Sequence, residues 1–478
     1  MNPLWELVES ACVKYPDLPS LHTLTRSYSF TEVKTIAKNI AAELRDRGLR
    51  PGDLVATKIS NSADWLFVLA CAHEGLLSVS VYSPEQAFEL GAALFVHRDG
   101  ADSAGIESLA VDEHWLRHME SGSNHTPPRD FAGPESLARL VLTSGTTGKA
   151  KAAEYSVGTF QTRLDNAERV WNLGSGNRIN FVGVSTMGGL SQGVLSLWAG
   201  APFFAFDAIT DKVPVLITEF DVTLLLGSTV NITQLADAVA TAFGSIDSVT
   251  QILIGGSTPN NALLHRLAEV FPAALVMVLY GSTEGGVISA RRAVVDADAR
   301  NVGTPFPGVQ VDVLDAYGTT LPRNEVGEIR YRSPELIQRY YRDPAATVDA
   351  LRDGYFYPGD RGYISTDGEL VITGRLDDVL NIGGVKVDPL EIERIAFSVM
   401  GVIDAGLIEQ HAADGRSQLA LALVAESDLA MREVDARIRD QAPAAVPAVY
   451  VRVNDLPRNA MGKLDRRALA QQLNEKHA

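Results

Sequence analysis

Apolar positions along this chain fall into two alternating rhythms. Residues 31–49 place Ile36, Ile40, Ala41 and Leu44 at helical spacing, with Thr31 and Glu32 opening the run and Gly48 closing it. That spacing predicts an amphipathic helix. Asp53–Ile59 reads as a strand, Ala63–Ala72 as a helix and Leu77–Tyr82 as another strand. Strands alternating with helices predict βα units and a mainly parallel sheet. Leu137–Leu142 is apolar apart from Arg139 and predicts a largely buried strand. A loop rich in Gly, Pro and Ser precedes it over 121–136. Strand-like apolar runs recur at Ile179–Val184, Val222–Leu226, Ile252–Ile254 and Leu275–Leu279.

From 308 to 376 the rhythm shortens. Val309–Leu314 and Gly327–Tyr331 alternate between Gly, Pro and Asp turns, as in a small β subdomain. The residues after Arg375 read as a compact α+β unit, so the domain boundary is placed at Asp377. The fold class is therefore α/β. A large N-terminal domain over 1–376 holds mixed and parallel sheets flanked by helices, plus the β subdomain. A small α+β domain covers 377–478. Length agrees, because 478 residues are too many for one core.

Composition narrows the function classes. Hydrophobic residues make up 46% and charged residues 21%, an ordinary globular balance. Net charge is −17 without any long Lys/Arg block, which argues against a nucleic-acid partner. Two cysteines, Cys12 and Cys71, signal no disulfide framework and read as packed small side chains. The start lacks a signal-peptide pattern, and no apolar stretch is long and clean enough to span a bilayer. A cytoplasmic setting is the expectation. His114 and His118 stand at i, i+4, a spacing that suits a metal. No third ligand is near, and a surface helix is the expected reading.

The candidate chemistry begins at Thr143-Ser144-Gly145-Thr146-Thr147-Gly148-Lys149-Ala150-Lys151. Glycines let a backbone approach a ligand closely, and N–H groups, hydroxyls and lysines then surround an anion. A phosphate is the expected guest; a plain polar surface turn is the alternative. The stretch is not a Walker A loop, which needs Gly at 143 and Ser or Thr at 150. In open α/β sheets ligands sit at the carboxyl ends of strands. Gly255-Gly256-Ser257 and Tyr280-Gly281-Ser282-Thr283-Glu284 are further candidate turns there.

These segments, taken in order, resemble the adenylate-forming superfamily: acyl- and aryl-CoA synthetases, peptide-synthetase adenylation domains and firefly-type luciferases. The resemblance runs from Thr143 to Lys463; residues 1–142 match in general texture. It implies that the loop at 143–151 holds phosphate through Lys151, with Gly255, Gly256 and Ser257 on the adenine side. Tyr280 would stack on adenine, Thr283 would contact phosphate and Glu284 would hold Mg²⁺ and serve catalysis. Tyr357-Pro-Gly-Asp360 places Asp360 on the ribose hydroxyls, and Gly374-Arg375 sends Arg375 to the nucleotide. Asp377 matches the hinge of a mobile small domain. Lys463, in Pro457-Arg-Asn-Ala-Met-Gly-Lys463, matches the lysine that enters the site for adenylation. Gly383–Lys386 resembles the loop lining a pantetheine channel. By position, Thr186, Met187, Gly188, Gly227, Ser228, Gly256 and Gly281 would form the acid pocket, whose small neutral residues suit a compact or aromatic acid.

The implied activity is ATP-dependent adenylation of a non-α-amino carboxylic acid, with pyrophosphate released. Transfer to a thiol follows, on CoA or on a carrier protein's phosphopantetheine. ATP and Mg²⁺ are the implied cofactors, a small-molecule acid the partner, and a monomer or homodimer the assembly. Departures leave two alternatives open. Ala150-Lys151-Ala152 replaces the usual Pro-Lys-Gly, and Thr186 stands where many acyl-CoA synthetases carry a gating histidine. The stretch between 82 and 137 is also shorter than usual. One alternative is therefore another acceptor or oxyacid, such as an amine or nitrite. The other is a nucleotide binder without turnover.

Overall fold

The structure is a computed structural model. It describes residues 2–98, 103–122, 126–129, 133–143, 150–171, 177–256, 258–376, 378–382, 385–411, 416–425, 427–458 and 464–477. Two sheets build the N-terminal part. The first has eight strands, in the order 286–292, 275–282, 251–255, 222–228, 177–180, 203–204, 19–22 and 27–29. Its six inner strands run parallel, and the two edge strands join as antiparallel hairpins. The second has six strands, in the order 108–110, 94–97, 54–58, 77–80, 137–143 and 151–156. Only its last strand is antiparallel.

The helix Asn61–Glu74 is buried along nearly its whole length, from Ala63 to Glu74. A helix covered all round needs no polar face, which is why its sequence is apolar in almost every direction. The helix at 31–49 begins one residue earlier than its spacing predicts, at Phe30, and ends at Asp46. Ser29 is the true cap: its hydroxyl accepts from the Glu32 N–H, and the Glu32 carboxylate accepts from the Ser29 N–H. The strand expected over Ile179–Val184 stops at Asn180, because the Asn180 side chain accepts from the Val182 N–H and donates to the Val182 carbonyl, closing a turn. Tyr280–Ser282 is not a turn but the end of the strand Leu275–Ser282, paired to Gly286–Arg292.

The β subdomain is an antiparallel sheet that starts at Asn301–Gly303, ahead of the expected 308, and ends with Leu370–Arg375. The small C-terminal α+β domain has a three-stranded sheet of Val402–His411, Ser417–Ala425 and Val449–Arg452. The helices Pro389–Phe397, Asp428–Gln441 and Arg466–His477 accompany it. Its apolar clusters, around Ile392, Leu421 and Val434 and around Ala420 and Leu469, are its own. Each fully buried aliphatic side chain of this kind contributes about 1.5–3 kcal/mol. Where this domain meets the β subdomain, the Asp388 carboxylate lies over Gly374; a Cβ at 374 would stand 1.7 Å from Asp388 Oδ2. Asp388 also caps the helix Pro389–Phe397.

Candidate active site

Parallel pairing fixes the positions of the site. Ser228 stands beside Gly255, and Gly255 beside Leu279, so Gly227, Ser228, Gly255, Gly256, Tyr280 and Gly281 share one carboxyl edge. A Cβ on Gly255 or Gly256 would meet no atom within 4 Å, and Gly256 has φ +87°. These glycines therefore border open space, as close approach to a ligand requires. Gly281 is different: a Cβ there would strike the Gly286 carbonyl oxygen at 2.2 Å. Its smallness serves strand pairing.

Tyr280, Asp360 and Arg375 come together from separate strands. The Tyr280 hydroxyl donates to Asp360 Oδ2 at 2.6 Å, and Arg375 Nη1 donates to Asp360 Oδ1 at 3.0 Å. Arg375 Nη2 also donates to the Pro358 carbonyl at 2.9 Å. Burial, with the Asp360 charge beside it, raises the Tyr280 phenol well above its ordinary value. It stays a neutral donor and a flat ring at working pH.

Glu284 is 7% exposed, and its Oε1 accepts from the Tyr340 hydroxyl at 2.7 Å. The Glu284 carbonyl accepts from the Ile337 N–H, and the Ser282 hydroxyl accepts from Tyr331 at 2.8 Å. The Thr283 carbonyl accepts from Arg163 Nη2 at 2.6 Å and from the Tyr155 hydroxyl. Burial raises the phenols of Tyr155, Tyr331 and Tyr340, so all three hold their protons and donate. Lys151 Nζ lies 5.3 Å from the Tyr340 ring centre. Lysine and carboxylate thus flank one tyrosine. Thr143 closes the strand Leu137–Thr143, buried and paired with Lys151.

Among the described residues no cluster of three His, Cys, Asp or Glu could hold a metal. Glu284 is a single buried carboxylate, a donor that suits Mg²⁺, which binds through one or two carboxylates plus phosphates and keeps water. His114 and His118 are exposed on the helix Glu113–Ser121.

Thr186 caps the helix Met187–Ala199: its hydroxyl accepts from the Gly189 N–H at 3.1 Å and donates to the Gly183 carbonyl at 2.9 Å. Met187 is buried, and Ser228 caps the helix Thr229–Phe243. A Cβ on Gly188 would find only Thr186 Oγ1, at 3.9 Å. Gly188 therefore faces space that a substrate can use, while Thr186 and Ser228 spend their hydroxyls on the helices. Residues 144–149, Ser257, Asp377, 383–384 and Lys463 lie outside the described residues.

Arg139, which interrupts an apolar strand, is 2% exposed. It donates to Ser78, to Ser80 and to the Val184 carbonyl at 3.0 Å, so it ties the 181–186 loop to the second sheet. Sequence reasoning missed Tyr155, Arg163, Tyr331 and Tyr340. Arg163 was detectable: it continues the Val157, Phe160 stripe at i, i+3, where a charge on the apolar face marks a buried partner.

Known proteins resemble this chain over most of its length. A family model described as AMP-binding enzyme matches residues 8–341. The 4-chlorobenzoate–CoA ligase of Arthrobacter sp. is 26% identical over 99% of this chain and 96% of its own. The fatty acid–[acyl-carrier-protein] ligase ScoC of Streptomyces coeruleorubidus is 26% identical over 95% of this chain and 93% of its own. The O-succinylbenzoate coenzyme A synthetase MenE of Bacillus subtilis, solved in complex with ATP and magnesium, shares the fold at TM-score 0.83 and 21% identity, over 97% of this chain and 98% of that one. Among the described residues no helix is long and apolar enough to cross a membrane.

Proposed function

The chain belongs to the AMP-binding, adenylate-forming enzyme family, and from that premise we propose that it joins a carboxylic acid to a thiol, cleaving ATP to AMP and pyrophosphate. The observation that carries this reading is the pair of networks that meet the segment Tyr280–Glu284, Tyr280–Asp360–Arg375 and Lys151–Tyr340–Glu284. The first suits a nucleoside and the second a metal-bound polyphosphate.

In this reading the acid oxygen attacks the α-phosphorus, its electron pair forms the new P–O bond, and pyrophosphate leaves with the electrons of the broken one. Negative charge spreads over the phosphoryl oxygens, and fixed cations stabilise it. Lys151, Arg375 and Lys463 are the proposed cations. Asp360 orients the ribose, and Thr283 the phosphate. Glu284 would hold Mg²⁺, which when bound neutralises charge on the phosphates. Residues 377–478 then turn about Asp377, withdraw Lys463 and bring up the Gly383–Lys386 loop for the thiol of CoA or of a carrier protein. Gly188 and Gly256 leave room for a compact or aromatic acid, whereas a Cβ on Gly227 would crowd Asn231 and Ile232 at 3.2 Å.

One observation favours a second reading of the last step. Thr186 spends its hydroxyl capping a helix, so no titratable group stands at that gate position. An amine acceptor, or nitrite in place of the acid, is compatible with such a gate. The test is incubation with ATP, Mg²⁺, pooled acids and nitrite, with and without CoA and amines, followed by mass spectrometry. AMP with an acyl-CoA supports the thiol ligase. AMP with an adenylate or an amide and no thioester supports the second reading. ATP binding without AMP under every condition leaves a nucleotide binder.

A further inference from the structure

The strand Lys151–Ser156 is a ruler between two parts of the proposed site. Lys151, Ala153 and Tyr155 share one face of it, because side chains alternate along a strand. Lys151 and Tyr155 are therefore about 13 Å apart along the strand axis. The free edge of the strand is paired by the segment 339–341: the Tyr341 N–H donates to Ala152 at 2.8 Å, the Glu154 N–H to Arg339 at 3.2 Å, and Ala153 opposes Tyr340. Tyr340 thus sits between Lys151 and Tyr155. It reaches Glu284, while Tyr155 reaches Thr283, the preceding residue.

The helix that follows completes the grip. Arg163 stacks over the Tyr155 ring, with its guanidinium carbon 4.8 Å from the ring centre, and donates to the same Thr283 carbonyl. Its Nε lies 3.5 Å from Glu335 Oε2, and Asn166 donates to Glu335 Oε1 at 3.3 Å. Glu335 in turn covers Gly286, where a Cβ would meet Oε2 at 2.0 Å and where φ is +80°. Both ends of the turn Thr283–Gly286 are held from one helix. Tyr155 is fully buried and Arg163 is 5% exposed. The Tyr155 hydroxyl and Arg163 Nη2 are both satisfied at the Thr283 carbonyl, while Arg163 Nε has the Glu335 charge near it but no hydrogen bond among the described residues.

We infer that Tyr155 and Arg163 are positioning residues: they pin the Thr283 carbonyl and so set Glu284 and Thr283 at a fixed distance from Lys151. They touch neither nucleotide nor metal. Their effect falls on the part of the ligand that carries β- and γ-phosphates and Mg²⁺, and spares the nucleoside held by Tyr280, Asp360 and Arg375. This rests on the proposed reading of the site as one for Mg·ATP.

Direct binding tests it without the acid being known. Wild type, Tyr155→Phe and Arg163→Lys are titrated calorimetrically with Mg·ATP over a range of Mg²⁺, and separately with AMP in the absence of metal. Tyr155→Phe removes one hydroxyl and keeps the ring, and Arg163→Lys keeps the charge without the planar fork. Thermal melting reports whether each variant is folded. Both variants are expected to bind Mg·ATP about tenfold more weakly and to need more Mg²⁺, with AMP affinity within about twofold of wild type. Variants that match wild type for both ligands, or that lose both equally, overturn the inference. A wild type that binds neither ligand overturns the nucleotide reading, and the inference with it.

Discussion

His22 is a base enclosed by aromatic rings, with Phe220 at 4.2 Å and Phe204 at 4.8 Å between ring centres. Burial lowers its pKa from 6.5 to about 4. The neutral form is therefore the one the folded state prefers, while the unfolded chain accepts a proton at ordinary pH. The stabilisation is fully present above pH 6.5 and is lost as pH falls towards 4. Between pH 7 and pH 5 this single residue accounts for about 2 kcal/mol of lost stability. Denaturant unfolding of His22→Phe at the two pH values is expected to show a loss smaller by that amount, and an unchanged acid sensitivity contradicts the assignment. At the site, Thr186 gives a matching test. Thr186→Ala removes the cap and is expected to cost about 1 kcal/mol, whereas Thr186→Ser keeps the hydroxyl and stays near wild type. Equal stability of both variants removes the capping role.

Elements joined by side-chain networks behave differently from those joined by backbone ladders. Arg466 opens the last helix and pairs through two nitrogens with Glu393, whose Oε1 also accepts from the Leu407 N–H at 2.8 Å. Arg458 pairs with Asp404, and Arg458 and Leu464 oppose each other in an antiparallel bridge. Burial raises the Glu393 carboxyl, and Arg466 counters it. Arg466→Met strands that carboxylate and is expected to cost the small domain about 3–5 kcal/mol, read by thermal melting or limited proteolysis. The double variant Arg466→Met/Glu393→Gln is expected to regain part of it. Little of this was legible in sequence, since Glu393 and Arg466 belong to different elements and no periodicity links them. Local signals fared better. The rhythms over 53–59, 63–72 and 77–82 matched real elements, because apolar spacing is fixed by the same period that builds them. Asn180 and Ser29 escaped notice because their side chains end or start an element through one hydrogen bond. Ordered motifs pointed to Tyr280, Glu284, Asp360 and Arg375. Of the tyrosines behind them, Tyr155 and Tyr331 sit in mixed strands and Tyr340 in a segment that bridges to one, where nothing in the local pattern marks an aromatic residue as more than packing.

Across the whole molecule, the proposed reaction asks one domain to serve two chemistries in turn. In that proposal, the Asp388 carboxylate over Gly374 would belong to one of the two arrangements. Gly374→Ala puts a methyl group into that contact. It is expected to change pyrophosphate exchange and thiol transfer by different factors, measured separately on the same preparation. Equal factors for both steps remove the contact from the domain cycle. The choice of glycine has a mechanical meaning too. Surfaces that interlock through side chains must unmesh before they slide, and each unmeshing adds drag to the stroke. Here the β subdomain offers bare backbone, at Gly374, to the Asp388 carboxylate. In the proposed cycle such a contact would work as a plain bearing: the small domain would lift from Gly374 and land again, and the speed of the stroke would be left to the proposed hinge.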